Sequence, residues 1–142
     1  FINKDLDFSP IQIQEDLCLD CDKCLKACPT QALFTPYQMD ASKCISYQTI
    51  ENKDPIKDLP PEKFRNFIFG CDICQDVCPF NKDAQAHKTE EFNAHPDLYN
   101  MTKEDWESLE PMRFGELFRG SAAKRAGFKG FTQNISWIKK SF

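Results

Sequence analysis

The chain has 142 residues, 41% of them hydrophobic, and a formal net charge of −4. No run of about 18 apolar residues occurs, so a membrane-spanning helix is excluded, and so lean a composition leaves only a small apolar core that calls for a further staple. The first residues carry no basic start and apolar stretch of a secretory signal, so the eight cysteines are not expected to meet the oxidising compartment that disulfides need.

Residues 1–17 read as a lead-in, with the alternation Ile11-Gln12-Ile13-Gln14 predicting a short strand. Residues 18–28 are too cysteine-dense for ordinary core and predict a loop and one helical turn, closed by Pro29, which lacks a backbone donor. Ala32-Leu33-Phe34 predicts a short strand broken by Pro36, and Asp40 predicts the N-cap of a helix running through Cys44 to about Ile50. A polar connector, 52–61, leads through Pro60-Pro61 into a predicted helix over 62–68. Residues 71–78 repeat the earlier loop and turn and are again closed by a proline, Pro79; residues 80–100 read as loop.

From Thr102 the pattern becomes helical. Thr102-Lys103-Glu104-Asp105 predicts a capping box, and helices are predicted over 112–118, 122–126 and 132–140. Phe114, Leu117, Phe118, Phe128, Phe131, Ile135, Trp137 and Ile138 are at helical spacing and are read as packing residues. The fold class is thus α+β: a small dicluster ferredoxin-like domain over 1–100 with short strands and helices, followed by a helical C-terminal segment over 101–142. Charge divides near the same point. Residues 1–110 hold 11 Lys and Arg against 21 Asp and Glu, whereas residues 111–142 hold 7 against 1. A basic tail on an acidic body points to an anionic partner or to a solvated basic helix face.

The cysteines carry the chemistry. Cys18-x2-Cys21-x2-Cys24-x3-Cys28-Pro29 is the run in which three thiolates hold one 4Fe–4S cluster and the fourth reaches a second. Two intervening residues let a tight loop aim successive sulfurs at one cluster; three place the next sulfur about a helical turn on, facing a neighbour. Cys71-x2-Cys74-x3-Cys78-Pro79 repeats the motif one cysteine short, and Cys44 completes the count. By this pseudo-twofold logic Cys18, Cys21, Cys24 and Cys78 hold one cluster, and Cys28, Cys44, Cys71 and Cys74 hold the other. Zinc sites built from two C-x2-C knuckles need neither nest nor crossover proline and fit the spacing poorly. His87 and His95 have no third ligand at metal spacing and read as surface residues.

The stretch Phe69-Gly70-Cys71-Asp72-Ile73-Cys74-Gln75-Asp76-Val77-Cys78-Pro79-Phe80-Asn81 closely resembles the epoxyqueuosine reductase family. So do residues 32–41, residues 43–51 and the tail Phe118-Arg119-Gly120-Ser121-Ala122-Ala123-Lys124-Arg125-Ala126-Gly127. The distant Cys44 separates this arrangement from an ordinary dicluster ferredoxin. The resemblance implies an oxidoreductase of queuosine biosynthesis, in which two 4Fe–4S clusters pass electrons to cobalamin for reduction of epoxyqueuosine in tRNA. It implies further that Ser46 and Asp72 face the cobalamin and that Lys53 lies toward the tRNA, and it strengthens the case for Lys124 and Arg125 in the basic tail. The family's cobalamin-binding N-terminal domain, with its catalytic acid, is expected to lie outside these residues, so catalysis by this chain alone is not implied. A monomer in the cytoplasm, served by an electron donor protein and without a membrane, completes the expectation. Two other readings stand beside it: a stand-alone dicluster ferredoxin, and a tRNA-binding module whose clusters are only structural.

Overall fold

The computed structural model describes residues 16–141; the strand expected over 11–14 lies outside them. The chain opens with a loop and helix α1 (Lys23–Ala27), followed by an antiparallel pair, β1 (Leu33–Thr35) and β2 (Gln38–Met39), with Leu33 opposite Met39 and Thr35 opposite Gln38. The second strand was not anticipated. Pro36 breaks β1 as expected, but Tyr37 adopts a left-handed φ of 62° and returns the chain antiparallel.

The helix expected from Asp40 onward is divided. The Asp40 carboxylate accepts from the Ser42 backbone N–H at 3.0 Å and closes a 3-10 turn, Ala41–Lys43. Cys44 is extended (φ −72°, ψ 124°), and helix α2 (Ile45–Ile50) starts after it. The cysteine therefore sits outside helical backbone at the entrance to a helix. The helix expected over 62–68 is a single 3-10 turn, Pro61–Phe64, because Arg65 and Asn66 turn left-handed (φ 47° and 69°) directly after the fully buried Phe64. Helix α3 (Ile73–Asp76) follows, and residues 80–100 hold short 3-10 turns at Pro79–Asn81, Glu90–Phe92 and Pro96–Asn100.

Helix α4 (Lys103–Glu107) begins at the expected capping box. The Asp105 N–H donates to Thr102 Oγ1 at 3.2 Å, and the Thr102 N–H donates to Asp105 Oδ2 at 2.8 Å. Helix α5 (Pro111–Leu117) and a 3-10 turn, Ala122–Arg125, lead to helix α6 (Gly127–Ile138). Helix α6 starts five residues earlier than the pattern indicates, with a left-handed Gly127 (φ 71°) at its first position and Gly130 inside it. Glycine costs a helix about 1 kcal/mol relative to alanine, less than the burial of two phenylalanines returns. Phe131 is 2% exposed, with its ring centroid 5.0 Å from Phe118, 5.4 Å from Phe114 and 5.9 Å from Trp106; Phe128 packs on the same cluster.

Two apolar clusters make the core. One gathers Leu109, Phe114, Leu117, Phe118, Ala123 and Phe131; the other gathers Ile45, Ile56, Leu59, Phe64 and Ile138, and Ile68 packs against both. Cys71 borders the second cluster. Apolar contact therefore runs from helix α6 through residue 68 to the segments bearing Cys44 and Cys71.

A buried polar node ties these segments together. Asn134, 5% exposed on α6, donates through Nδ2 to the carbonyls of Thr49 (2.8 Å) and Ile68 (3.0 Å). Thr49, 2% exposed on α2, donates its hydroxyl to the Ile45 carbonyl (2.8 Å) and accepts from the Gly70 N–H (2.9 Å). Gly70 has a φ of 73°, which a side chain would strain. Truncating Asn134 strands buried carbonyls, each costing about 1–3 kcal/mol when unpaired. Asn134→Ala is expected to lower the unfolding free energy of the metal-loaded chain by about 2–3 kcal/mol, measured by denaturant titration; a change within the scatter of surface substitutions would count against the node.

Candidate metal centre

The two cysteine nests repeat each other in backbone as well as in sequence. Asp22 (φ −118°, ψ 15°) precedes α1 as Asp72 (φ −113°, ψ 13°) precedes α3. Each helix is followed by an extended cysteine and a proline, Cys28 (φ −64°, ψ 112°) directly at the end of α1 and Cys78 (φ −71°, ψ 123°) after Val77 caps α3. Helices α1 and α3 pack on each other, bringing the two nests side by side. Cys18 and Cys21 are joined by a turn, Cys21 N–H to the Cys18 carbonyl at 2.8 Å, with Leu19 left-handed between them. Both are exposed; the other six cysteines are half-buried.

Cys28, Cys44, Cys71 and Cys74 line one cavity of about 60 Å³, walled otherwise by Thr30 and by apolar groups that include Ala32, Leu33, Ile45 and Ile73. Three separate segments supply these four sulfurs. Their mutual proximity is felt at Cys71: burial pushes its thiol up, and the neighbouring Cys44, Cys74 and Cys28 push it further. Cys28 has the opposite balance. Burial raises it, but the backbone N–H groups of Leu33, Ala32 and Thr30 and the Thr30 hydroxyl outweigh burial and hold the thiol below its usual range. Gln31, at φ 54°, makes the turn that folds those amides back over the sulfur. Among the described residues no three or more of His, Cys, Asp and Glu converge tightly enough to hold a single ion; the four sulfurs are instead spread around a cavity wall. Soft thiolate donors in an apolar pocket suit iron–sulfur chemistry.

At the first nest, Tyr37 on the hairpin tip bonds the Asp16 carboxylate, and that contact, with a smaller one from Cys18, pushes its hydroxyl up to about 12. Ser46 lies half-buried in the first turn of α2, two residues beyond Cys44, and Asp72 is exposed between Cys71 and α3. His87 stacks edge-on against Phe92, and His95 accepts the Asp97 N–H at 3.3 Å.

Lys53 and Arg125, distant in sequence, meet on the surface. The Lys53 ammonium donates to the carbonyls of Ile50 (3.2 Å) and Arg125 (3.0 Å). The Arg125 guanidinium forms a two-point pair with the Glu51 carboxylate, its Nη2 at 3.0 Å, and Lys124 is exposed on the same 3-10 turn. Arg113 and Lys139 are likewise paired, with Asp97 and Glu116 and with Glu107. Part of the basic surplus of residues 111–142 is thus answered by acidic residues. Neither Glu51 nor the Thr49–Asn134 node was visible from spacing, because their partners lie 66 to 85 residues away, apart from the Thr49–Gly70 link.

A fold with two such nests belongs to the dicluster iron–sulfur class, and a family model described as a 4Fe-4S double cluster binding domain matches residues 17–81, the span that holds all eight cysteines. The chain is 46% identical over 135 residues to epoxyqueuosine reductase of Cellulophaga algicola, covering 95% of this chain and 44% of that protein. It is 48% identical over 125 residues to the Leadbetterella byssophila enzyme, covering 88% and 40%. Among solved structures, epoxyqueuosine reductase from Bacillus subtilis superposes with a TM-score of 0.81 at 34% identity, over 92% of this chain and 35% of that one. An epoxyqueuosine reductase with a tRNA-Tyr epoxyqueuosine-modified stem loop superposes with a TM-score of 0.76 at 33% identity, over the same shares. The chain belongs to the epoxyqueuosine reductase family and spans less than half the length of the curated relatives it matches.

The cavity offers a direct check. Ala32 is 2% exposed and forms part of its wall. Ala32→Phe is expected to fill the space and cut iron and acid-labile sulfide after anaerobic reconstitution to about half; full metal content in that variant would place the iron elsewhere.

Proposed function

We propose that this chain is the electron-transferring portion of an epoxyqueuosine reductase. Cys18, Cys21, Cys24 and Cys78 hold one 4Fe–4S cluster, and Cys28, Cys44, Cys71 and Cys74 hold the other. When bound, the clusters supply electrons to a cobalamin that reduces epoxyqueuosine to queuosine in tRNA. The observation that carries the reading is the convergence of Cys28, Cys44, Cys71 and Cys74 on one apolar cavity, since Cys44 completes a set that the second motif leaves one short. The packing of α1 on α3 supports the reciprocal role of Cys78.

The cobalamin would be met by the surface around Cys44 and Cys71, with Ser46 and Asp72 as contacts, and held by a cobalamin-binding domain beyond these residues. Lys53, Lys124 and Arg125 form the phosphate-facing group, a reading supported by the meeting of Lys53 with Arg125. A tRNA substrate puts a monomeric enzyme in the cytoplasm, drawing on an electron donor protein. No helix among the described residues is long and apolar enough to cross a membrane.

Replacing one ligand should damage one cluster only. Cys78→Ala is expected to remove the cluster of the first nest, about four of about eight irons, and to leave the other intact by EPR; a spared first-nest cluster would sink the crossover assignment.

The activity test uses the reduced chain with epoxyqueuosine tRNA, digestion to nucleosides and detection of queuosine by mass. The chain alone is expected to form none, because no acid within reach of an epoxide is supplied by these motifs. Adding the remaining domain and cobalamin is expected to give turnover. Turnover without cobalamin would overturn the division of labour, and failure with every component present would favour an independent dicluster ferredoxin.

On the RNA side, Lys53→Ala with Lys124→Ala is expected to flatten the slope of log affinity against log salt by roughly one to two, because each lost phosphate contact removes about 0.7 to 0.9. An unchanged slope would return these lysines to the solvated surface.

A further inference from the structure

Thr30 and Gln75, both outside the ligand set, approach two sulfurs of the same set of four. Thr30 Oγ1 lies 3.7 Å from Cys28 Sγ, and Gln75 Nε2 lies 3.9 Å from Cys74 Sγ. A cluster-bound sulfur has no proton, so in each contact the side chain must donate. The orientation of the Gln75 amide is held from the other side: Asn81 Nδ2 donates to Gln75 Oε1 at 3.1 Å and to the Gln75 carbonyl at 2.9 Å. With its oxygen committed to Asn81, the amide presents its nitrogen to the sulfur. Thr30 belongs to the turn whose N–H groups already face Cys28.

We propose that Thr30 and Gln75 set the reduction potential of the cluster held by Cys28, Cys44, Cys71 and Cys74, raising it by donating hydrogen bonds to two of its four thiolates. The proposal rests on the ligand assignment above. Reduction adds one electron to an assembly that is already anionic. A donor dipole at sulfur stabilises the reduced form more than the oxidised one and shifts the midpoint upward. Burial acts the other way, since the added charge is removed from water. The set in question lines an apolar cavity, whereas two of the four ligands of the other set, Cys18 and Cys21, are exposed. Without the two donors this half-buried, apolar-walled site would be the harder to reduce. With them it stays within reach of an electron arriving at the exposed nest, whose side-chain contact, Tyr37 with Cys18, comes from a hydroxyl bonded chiefly to Asp16.

The test is an EPR-monitored redox titration with dithionite on the anaerobically reconstituted full chain, comparing wild type with Thr30→Val, Gln75→Leu and Thr30→Ser. Thr30→Val and Gln75→Leu are each expected to make one of the two midpoints more negative. The change corresponds to about threefold in the one-electron equilibrium, or about 28 mV at about 59 mV per tenfold, with the other midpoint unmoved. Thr30→Ser keeps the hydroxyl and is expected to keep the wild-type value. Should Thr30→Val lose iron, Gln75→Leu, on a separate helix, decides alone. Unchanged midpoints in a fully loaded variant overturn the proposal while leaving the ligand assignment standing. A wild-type chain that takes up fewer than two clusters, or a Cys28→Ala variant that loses the same cluster as Cys78→Ala, overturns the ligand assignment and the proposal with it.

Discussion

The amide of Asn134 and the hydroxyl of Thr49 hold the metal centre's scaffold together. Between them they connect helix α6, helix α2 and the turn at residues 68–70, through two buried bonds and two part-buried ones. Helix α2 begins directly after Cys44, and residue 70 directly precedes Cys71. Two sulfurs that must share a cavity are therefore registered by a side chain more than sixty residues further on. Apolar contact alone holds segments together without setting their register; hydrogen bonds to particular carbonyls do set it, and their loss leaves unpaired buried groups. Helix α6 is in this sense part of the centre, although it contributes no cysteine.

The gathering of four cysteines on one cavity places a burden on the chain. Crowding of Cys44, Cys74 and Cys28 around a half-buried Cys71 disfavours thiolates there, as burial alone already does. In the proposed dicluster reading, binding of iron would replace those repulsions with coordination and couple cluster uptake to folding, as in other small metal-stapled domains. The lean apolar content agrees with this, since two modest clusters hold all the buried apolar side chains among the described residues except Ala32.

The basic tail turns out to be less available than its composition suggests. Pairing of Arg125 with Glu51, of Arg113 with Asp97 and Glu116, and of Lys139 with Glu107 spends much of the positive charge on the protein itself. These pairs are exposed and screened by salt, so they orient side chains more than they stabilise the fold. The Lys53 ammonium meets the Arg125 carbonyl on this surface, which is the feature the proposed phosphate contact draws on.

Sequence by itself determined the features whose causes are local. Cysteine spacing, the proline after each nest, the Thr102 capping box and the strand break at Pro36 each depend on a few neighbouring residues, and the resemblance to the epoxyqueuosine reductase family was readable in the same motifs. Tertiary structure decided what depends on distant partners. It extended α6 back to Gly127 so that Phe128 and Phe131 could reach the aromatic cluster, and it halted the turn after Phe64 so that this side chain could be buried. It split the helix expected after Asp40, leaving Cys44 in extended backbone beside the cavity. It paired Arg125 with Glu51 and turned Thr30 and Gln75 toward the sulfurs of Cys28 and Cys74. The reason is the same in each case: spacing along a chain encodes direction over one or two turns, whereas burial, register and long-range hydrogen bonds exist only once separate segments have packed.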